Sequence, residues 1–442
     1  LCDCGGEARL KEIRGSTPAS RFLVLELAER LPFEPRILGY LRLDPPIPRM
    51  HRRTPEGVER DIRERIFPRD WFHPTYEGGA DWQRALDRVN TAAARIARVV
   101  VHPDYRSEGF GALLVRVALE WAKERGAPEA RREKHLVYTI AQMARYHPFF
   151  EKVGFRYLFD TASGRPVLFY PLTEEAEAHL ERFLREDPYA KAHGGRLYKP
   201  RFGRVPGLPG PIRLRGVHKA YRSHLDLEGL SREVQEALLA FGVKARVVER
   251  AVLRGASLEI PPGSLVVLAG ASGAGKTTLL RLLLGEAPDA GEVAVPPGRR
   301  VAYIPGEREV DLGEDPILEA VYRRLKDVGA AIEVLNRVGL SDAVLYRARP
   351  HELSTGQRER FRLALLLAER PDLLLIDEFA AHLDVPTARR VALGLGKLCR
   401  EAGVTLVAAT HRPEVVAALD PDLLVYVGYG GLTTVPRRGP RT

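Results

Sequence analysis

The second half of the chain alternates short apolar runs with segments of helical periodicity. The runs Leu265–Ala269, Leu373–Ile376 and Thr405–Ala409 have no polar face, and residues 277–284 follow the first run as a predicted helix. Strands that are apolar on both faces indicate a parallel sheet buried on both sides. The pattern therefore predicts an α/β domain over residues 212–442.

The first half of the chain mixes both element types. Strand-like runs occur at residues 22–27, 37–43, 97–101, 136–140 and 167–170. Residues 111–125 carry apolar side chains at helical spacing. Residues 49–90 are charged and contain proline, so they are interpreted as a polar insertion or a polar helical excursion. We therefore predict a second, mixed α/β domain over residues 1–182.

Residues 183–211 are rich in glycine, proline and basic side chains, and are interpreted as a linker between the two domains. The chain has 442 residues and a formal charge of +10. The first 215 residues carry 38 Lys and Arg against 29 Asp and Glu, so the basic excess lies in the first half. This excess is compatible with binding of RNA, DNA or an anionic cofactor.

The cysteine content favours a reducing, cytoplasmic location, because three cysteines cannot build a disulfide framework. Cys2 and Cys4 are either half of a zinc site or two terminal thiols, since no second pair follows. No apolar run reaches the roughly 20 residues that span a bilayer, and no signal peptide is recognisable. We therefore expect a protein without a membrane span.

A phosphate-binding loop pattern, G-x-x-x-x-G-K-T, is complete at residues 270–277, between a strand and a helix. Its glycines let backbone N–H groups point at a phosphate, and the helix N-terminus adds partial positive charge. Lys276 is expected to contact the β- and γ-phosphates of ATP, and Thr277 to supply a hydroxyl to Mg²⁺. The predicted ATP-binding residues of this segment are Gly270, Ser272, Gly273, Gly275, Lys276, Thr277 and Thr278.

Two acidic residues follow the buried run Leu373–Ile376 and are expected beside the phosphates. Asp377 is predicted to hold Mg²⁺, either directly or through water. Glu378 is predicted to orient and polarise the attacking water.

The sequence Leu-Ser-Thr-Gly-Gln at residues 353–357 resembles the signature of the ABC ATPases. Residues 381–384 resemble the loop that follows the catalytic glutamate in that family, and His411 matches the family's switch histidine. The resemblance implies ATP hydrolysis in which Glu378 and Lys276 act together with His411, which contacts the γ-phosphate.

In ABC ATPases the signature of one domain covers the ATP that another domain holds. The resemblance therefore implies that Ser354, Gly356 and Gln357 act on the ATP of a second copy. Because the chain has one such domain, this implies a homodimer with two enclosed ATP molecules. The stretch between the phosphate loop and the signature is short, so we expect a small helical subdomain.

Two features depart from the family pattern. The glutamine that links Mg²⁺ to the helical subdomain in ABC ATPases is replaced by Gly306, with Glu307 as a candidate substitute. Residues 212–221 resemble the opening strand of the family, but a predicted helix at 230–241 precedes the phosphate loop. Tyr221 is either the aromatic that stacks on adenine or a simple strand-end residue.

In the first domain, residues 98–111 resemble the acetyl-coenzyme A loop of the GNAT acetyltransferases, and Arg106, Gly109 and Gly111 match its pattern R-x-x-G-x-G. Residues 148–155 resemble a later helix-to-strand segment of that family. N–H groups at the helix start would bind the pyrophosphate. The resemblance implies acetyl-coenzyme A binding by Val100, Val101, Arg106, Gly109, Phe110, Gly111 and Ala112.

The residues for acetyl transfer are not determined by spacing. GNAT enzymes often have a general-acid tyrosine in the later helix, where this chain has Phe150, and Tyr146 is the candidate replacement. The candidates for a general base are His102, Asp104 and Glu108. The alternative is a GNAT-like domain that only binds a ligand or has a structural role.

Three functions follow from these features. The first is an ABC ATPase coupled to an acetyltransferase domain that modifies RNA or protein. The second is an ABC ATPase that handles nucleic acid and carries an inactive GNAT-like module. The third is the ATPase subunit of a transporter. The fused architecture is similar to prokaryotic ABC ATPases that are joined to a predicted acetyltransferase.

Overall fold

The computed structural model describes residues 20–29, 35–47, 49–72, 91–102, 105, 109–124, 132–225, 227–244, 246–306, 311–428 and 430–437. The chain forms two compact units, Leu1–Lys199 and Pro200–Thr442. Among the helices of the described residues, none is long and apolar enough to cross a membrane. Cys2 and Cys4 lie outside the described residues.

The described strands of the first unit are β1 (Arg21–Glu26), β2 (Ile37–Asp44), β3 (Arg52–Thr54), β4 (Gly57–Glu59), β5 (Ala93–Val101), β6 (Leu136–Ile140), β7 (Arg156–Asp160) and β8 (Pro166–Pro171). Six of them form a sheet in the order β1-β2-β5-β6-β8-β7, and β3 pairs with β4. Only β5 and β6 are parallel neighbours in this sheet. The strands predicted from the sequence all lie in it.

Helices cover both faces of this sheet. The described helices of the first unit are α1 (Arg63–Ile66), α2 (Phe110–Lys123), α3 (Glu174–Glu186) and α4 (Pro188–His193). Leu114 and Ala118 of α2 pack with Leu41 of β2 on one face. Leu180 and Phe183 of α3 pack on the other face. The mixed α/β fold expected for the first half is confirmed.

The segment predicted as a polar insertion, residues 49–90, contributes side chains to the core between residues 50 and 72, and residues 73–90 lie outside the described residues. Six of its apolar side chains are at most 3% exposed: Met50, Ile62, Ile66, Phe67, Trp71 and Phe72. The Arg63 guanidinium lies 4.3 Å from the centroid of the Phe72 ring. The interpretation as a polar excursion was wrong because charged residues separate these apolar positions and obscure their shared face.

The described strands of the second unit form two sheets. A three-stranded antiparallel sheet has the order β10-β9-β12, and a six-stranded sheet has the order β13-β14-β15-β11-β16-β17. The first five strands of the larger sheet are parallel, as predicted. The bounds are β9 (Ile212–Leu225), β10 (Arg246–Ile260), β11 (Leu265–Ala269), β12 (Ala290–Ala294), β13 (Val301–Ile304), β14 (Leu373–Ile376), β15 (Thr405–Ala409), β16 (Leu423–Gly428) and β17 (Gly431–Pro436).

The second unit contains two hydrophobic cores, which lie on opposite faces of the six-stranded sheet. One core, between the two sheets, contains Leu214 and Leu268 together with Leu279 of the helix that follows β11. A second core lies on the other face and includes Val334 and Phe361. The described helices are α5 (Arg232–Ala240), α6 (Lys276–Leu284), α7 (Ile317–Leu325), α8 (Val328–Arg337), α9 (Thr355–Ala368), α10 (Val385–Ala402) and α11 (Pro413–Leu419).

The segment interpreted as a linker, residues 183–211, has more structure than its composition indicates. The end of α3 and all of α4 lie in it. After Lys199, where the first unit ends, the side chains of Phe202 and Val205 are buried in the core of the second unit. The backbone N–H of Phe202 donates to Glu333 Oε2 at 3.1 Å. Isolated apolar anchors between glycine and proline residues give no periodic pattern, so the sequence does not reveal this packing.

Gly394 allows a close helix contact that can be tested by stability. A Cβ at this position of α10 would stand 2.0 Å from the carbonyl oxygen of Arg337 at the end of α8. Overpacking of this kind costs about 3 kcal/mol, against the ~1 kcal/mol that alanine gains over glycine within a helix. We expect Gly394→Ala to lower the thermal unfolding midpoint of the full chain by roughly 5 °C.

The matched control for this substitution is Gly210→Ala, because a Cβ at Gly210 meets no atom within 4 Å. Differential scanning calorimetry of both variants measures the effect. An unchanged midpoint for Gly394→Ala would contradict the close approach of α8 and α10.

Candidate functional site

Four chain segments meet at one edge of the six-stranded sheet in the second unit. β11 leads into Gly270, β13 into Pro305, β14 into Asp377 and β15 into Thr410. These strands are parallel neighbours, so their carboxyl ends lie side by side. Residues that are distant in sequence are thereby brought to a single edge.

Glycine is required at several points of the phosphate loop. The φ angle is +145° at Gly270, +72° at Gly273 and +109° at Gly275. A Cβ at Gly270 would stand 2.2 Å from the carbonyl oxygen of Val427, and one at Gly275 would stand 2.5 Å from Cγ1 of Val252. α6 begins directly after Gly275 without a side-chain cap. The loop therefore has the backbone geometry that binds an anion.

The Lys276 side chain folds over this loop. Its Nζ donates to the carbonyl oxygens of Gly270 and Ala271, each at 2.8 Å. Burial lowers the pKa of Lys276, and the nearby carboxylates of Asp377 and Glu378 oppose that shift. The ammonium group thus lies where it can reach both the loop and the acidic residues.

The predicted Mg²⁺ ligands are in direct contact. Thr277 Oγ1 donates to Asp377 Oδ2 at 2.7 Å, and the backbone N–H of Asp377 donates to the Ile304 carbonyl oxygen at 2.8 Å. A hydroxyl and a carboxylate at this separation form an oxygen pair of the kind Mg²⁺ prefers, so the two side chains fit that ion. Ser272 is exposed on the loop, and Thr278 is buried behind it.

Glu378 and His411 are both exposed at the same edge. Glu378 has φ +50° and Ala380 has φ +63°, so the chain turns sharply after β14. The Thr410 hydroxyl donates to the Phe379 carbonyl oxygen at 3.2 Å and joins the turn to the segment that carries His411. Two predicted catalytic residues are thereby held on connected turns.

The signature residues form the start of α9. Ser354 is the N-cap: its Oγ accepts from the Gln357 N–H at 3.3 Å, and Gln357 Oε1 accepts from the Ser354 N–H at 2.9 Å. A Cβ at Gly356 would stand 3.1 Å from Cδ2 of Leu383. This capping box holds a helix N-terminus, with its partial positive charge, at the surface.

Tyr221 lies within β9, which continues to Leu225, so the interpretation as a strand-end aromatic was wrong. Its hydroxyl donates to Glu286 Oε1 at 3.2 Å. Its cross-strand partner is Arg250, whose guanidinium donates to the Gly273 carbonyl oxygen at 2.8 Å. Sequence analysis missed Arg250, because only strand pairing brings it to the phosphate loop.

In the first unit, the parallel strands β5 and β6 separate at their carboxyl ends. They pair from Ala93 to Ile96, and β5 then continues to Val101. α2 begins after Gly109, which has φ +88° and provides no side-chain cap. A Cβ at Gly111 would stand 3.1 Å from the Phe149 ring. The opening between the strands and an uncapped helix start thus occur together, as a coenzyme A site requires.

Of the other residues predicted to bind acetyl-coenzyme A, Val100 and Val101 end β5, and Phe110 and Ala112 lie at the start of α2. Val100 is buried, whereas Phe110 and Ala112 are half-buried in the first turn of α2. Arg106 and two candidate bases, Asp104 and Glu108, lie outside the described residues.

The chain after β6 forms two short 3₁₀ turns, Gln142–Arg145 and Glu151–Val153, rather than the helix implied by the family resemblance. Tyr146 is half-buried at the end of the first turn, and Phe150 is buried. Burial lowers the pKa of the neighbouring His147 to about 4. Proline at position 148 explains the interrupted helix, because it removes a backbone donor and restricts the preceding residue.

Family comparisons agree with this division of the chain. The sequence model of the family described as "ABC transporter" matches residues 253–381. The lipoprotein-releasing system ATP-binding protein LolD 1 of Rhodospirillum rubrum is 35% identical over 193 residues, which are 38% of this chain and 84% of that protein. The chain belongs to the ABC ATPase family.

A second model, described as "Acetyltransferase (GNAT) domain", matches residues 77–157, so the ABC unit follows a GNAT domain in the same chain. The methionine import ATP-binding protein MetN of Mesorhizobium japonicum is 34% identical over 209 residues. That match covers 42% of this chain and 56% of MetN, so the chain spans just over half the length of that relative.

A solved structure of an ATP-binding cassette, a dimer in a post-hydrolysis state bound to ADP and Pi, is similar at 22% identity. The similarity covers 52% of this chain and 99% of that chain, with a TM-score of 0.39.

An arginine next to His411 stabilises the loop after Glu378 in the ABC unit. Arg412 donates from Nη1 to the carbonyl oxygens of Ala380 and Leu383, at 2.6 and 2.5 Å. Its Nε donates to Glu414 Oε1 at 2.7 Å. The sequence analysis missed this residue because the bonds go to backbone atoms distant in sequence.

Removing these bonds is expected to loosen the loop at residues 380–384. Arg412→Ala leaves two carbonyl oxygens without a charged donor, a loss of about 2 kcal/mol or more. We expect faster hydrogen exchange in peptides that contain the Leu383 amide, measured by mass spectrometry.

The control is Arg389→Ala, which removes an exposed arginine from α10. Its exchange at residues 380–384 should match that of the wild type. Equal exchange in Arg412→Ala and wild type would show that Arg412 does not stabilise the loop.

Proposed function

We propose that two copies of this chain enclose and hydrolyse two ATP molecules, and that the cycle acts together with acetyl transfer by the GNAT domain to RNA or protein. The observation that carries the ATPase part is the Thr277–Asp377 contact beside the glycine loop. The similarity to the ATP-binding proteins LolD 1 and MetN supports it.

The reaction is a displacement at the γ-phosphorus. The oxygen of a water molecule bonds to phosphorus, the bond to the bridging oxygen breaks, and ADP leaves with the electron pair. Glu378 orients the water and relays its proton to the phosphate product. Lys276 and His411 stabilise negative charge on the phosphate oxygens. Mg²⁺, held by Thr277 and Asp377, would neutralise charge on the β- and γ-phosphates.

We infer a head-to-tail dimer because the start of α9, which contains the signature, reaches the surface. Ser354 is exposed, and Gly356 and Gln357 are half-buried at the N-terminal end of α9, where the helix start has partial positive charge at the surface. In a dimer, Ser354, Gly356 and Gln357 of one copy would cover the ATP on the phosphate loop of the other. Tyr221 is proposed to stack on the adenine.

In the GNAT domain, N–H groups from Gly109 to Ala112 are proposed to bind the pyrophosphate of acetyl-coenzyme A. The acceptor nitrogen attacks the thioester carbonyl, the C–S bond breaks, and the thiolate takes a proton from Tyr146. The proton lost by the acceptor goes to a base, for which His102 is a candidate. The basic excess of the first half supports an anionic acceptor such as RNA.

Two alternatives are favoured by specific observations. Phe150, without a hydroxyl, favours a GNAT module that binds but does not transfer. The similarity to import ATP-binding proteins such as MetN favours the ATPase subunit of a transporter. We infer a cytoplasmic location from the low cysteine content.

Substitutions in the ATP site separate binding from hydrolysis. Glu378→Gln removes the base, so we expect kcat to fall about 100-fold or more, while ATP-dependent dimerisation persists. Lys276→Ala should lose both ATP hydrolysis and ATP-dependent dimerisation, because the ammonium is needed to bind the phosphates. Phosphate release and light scattering with and without ATP measure the two properties.

The control for charge removal is Lys397→Ala, whose side chain is 63% exposed on α10. A Glu378→Gln protein that hydrolyses at the wild-type rate would rule out the role of Glu378. ATP-dependent dimers of Lys276→Ala would contradict phosphate binding by Lys276.

For the GNAT domain, Gly111→Leu should weaken acetyl-coenzyme A binding at least about tenfold, because the side chain meets the Phe149 ring. Tyr146→Phe should retain binding but lower transfer to RNA or protein acceptors by about 100-fold. Calorimetry measures acetyl-coenzyme A binding, and turnover of acetyl-coenzyme A with and without ATP measures acetyl transfer.

The control for added bulk is Val117→Leu, on the exposed side of α2. Absence of acetyl-coenzyme A binding by the wild type would remove the acetyltransferase proposal. Binding without transfer to any acceptor would favour the non-catalytic module.

A further inference from the structure

Gly306 and Glu378 occupy matching places on neighbouring strands. Ile304 of β13 pairs with Ile376 of β14. Gly306 lies two residues after the first, and Glu378 two residues after the second. The bond from the Asp377 N–H to the Ile304 carbonyl oxygen continues this pairing beyond β14. The segments that follow β13 and β14 are therefore still in register at Glu378.

The carboxyl end of Glu378 lies against the backbone of Gly306. A Cβ at Gly306 would stand 2.9 Å from Glu378 Oε2, 3.0 Å from Cδ and 3.0 Å from Cγ. These three nearest atoms all belong to Glu378, so its side chain is the first group that a larger residue at position 306 would meet. Any side chain at position 306 must displace the carboxylate, since real Cβ atoms do not approach so closely.

The backbone of Glu378 limits how the side chain can respond. Its φ of +50° is an unusual conformation for a residue with a Cβ. Its flanks are held by the Asp377 N–H bond and by the bond from the Phe379 N–H to the Ala409 carbonyl oxygen at 2.8 Å. The Cα–Cβ direction of Glu378 is thus determined by the sheet edge, and Gly306 sets the room left for its carboxylate.

We propose that Gly306 is a positioning residue for the Glu378 carboxylate, and that glycine here is part of the hydrolytic site rather than a simple loss of the family's glutamine. This inference rests on the proposed role of Glu378 in orienting water. At the position where ABC ATPases usually have glutamine, Gly306 leaves room for the carboxylate of Glu378.

Two substitutions test the inference in the full chain. Gly306→Ala should lower kcat for ATP hydrolysis about tenfold, and Gly306→Gln about 100-fold, because a displacement near 1 Å has effects of this size. The KM for ATP and ATP-dependent dimerisation should stay within about twofold of wild type, since the phosphate loop is untouched. Gly210→Ala is the control, with an open Cβ position and unchanged kcat.

A purely structural role is distinguished by a double-mutant cycle. In the Glu378→Gln background, Gly306→Ala should cause no further loss of kcat, whereas loss through misfolding would add to it. Thermal midpoints of the variants should match that of wild type within a few degrees.

Wild-type kcat in Gly306→Ala, or faster hydrolysis in Gly306→Gln, would overturn the inference and leave the proposed function intact. Additive losses in the cycle would also overturn it. A wild-type chain that does not hydrolyse ATP would contradict the proposed function and this inference together.

Discussion

The shared carboxyl edge of the parallel strands is the constraint on which the nucleotide site depends. Four strands deliver their following turns to that edge, and the Asp377 N–H bond to Ile304 extends the register into the loops. The Thr277–Asp377 bond then joins the start of α6 to the end of β14. A change of register along any of these strands would separate groups that are proposed to act on one phosphate.

A helix in each unit begins after a glycine that leaves the first N–H groups of the helix without a side-chain cap. Gly275 precedes α6 and Gly109 precedes α2, each with positive φ and without a side-chain cap. An N-cap serine or aspartate would satisfy the first N–H groups of the helix internally. Glycine leaves them for an external anion, which suits a phosphate of ATP in one unit and a pyrophosphate in the other. Ser354 contrasts with both, because it caps its own helix.

Arginine side chains hold the loops of the ABC unit through backbone carbonyl groups. Arg250 reaches Gly273 from the three-stranded sheet, and Arg412 reaches Ala380 and Leu383 from the segment after β15. These bonds connect turns that carry the predicted nucleotide-binding and catalytic residues to elements distant in sequence. Because they are directed at backbone atoms, they depend on loop conformation rather than on a partner side chain.

The sequence by itself determined the parallel sheet, the phosphate loop and the acidic pair, since apolar runs and glycine spacing are local signals. It also predicted the separation into two α/β parts. Tertiary structure decided that apolar side chains of residues 50–72 belong to the core, that Phe202 is buried in the core of the second unit, and that Gly306 lies against Glu378. These contacts join positions far apart in the chain, and local periodicity holds no information about which distant surfaces pack together.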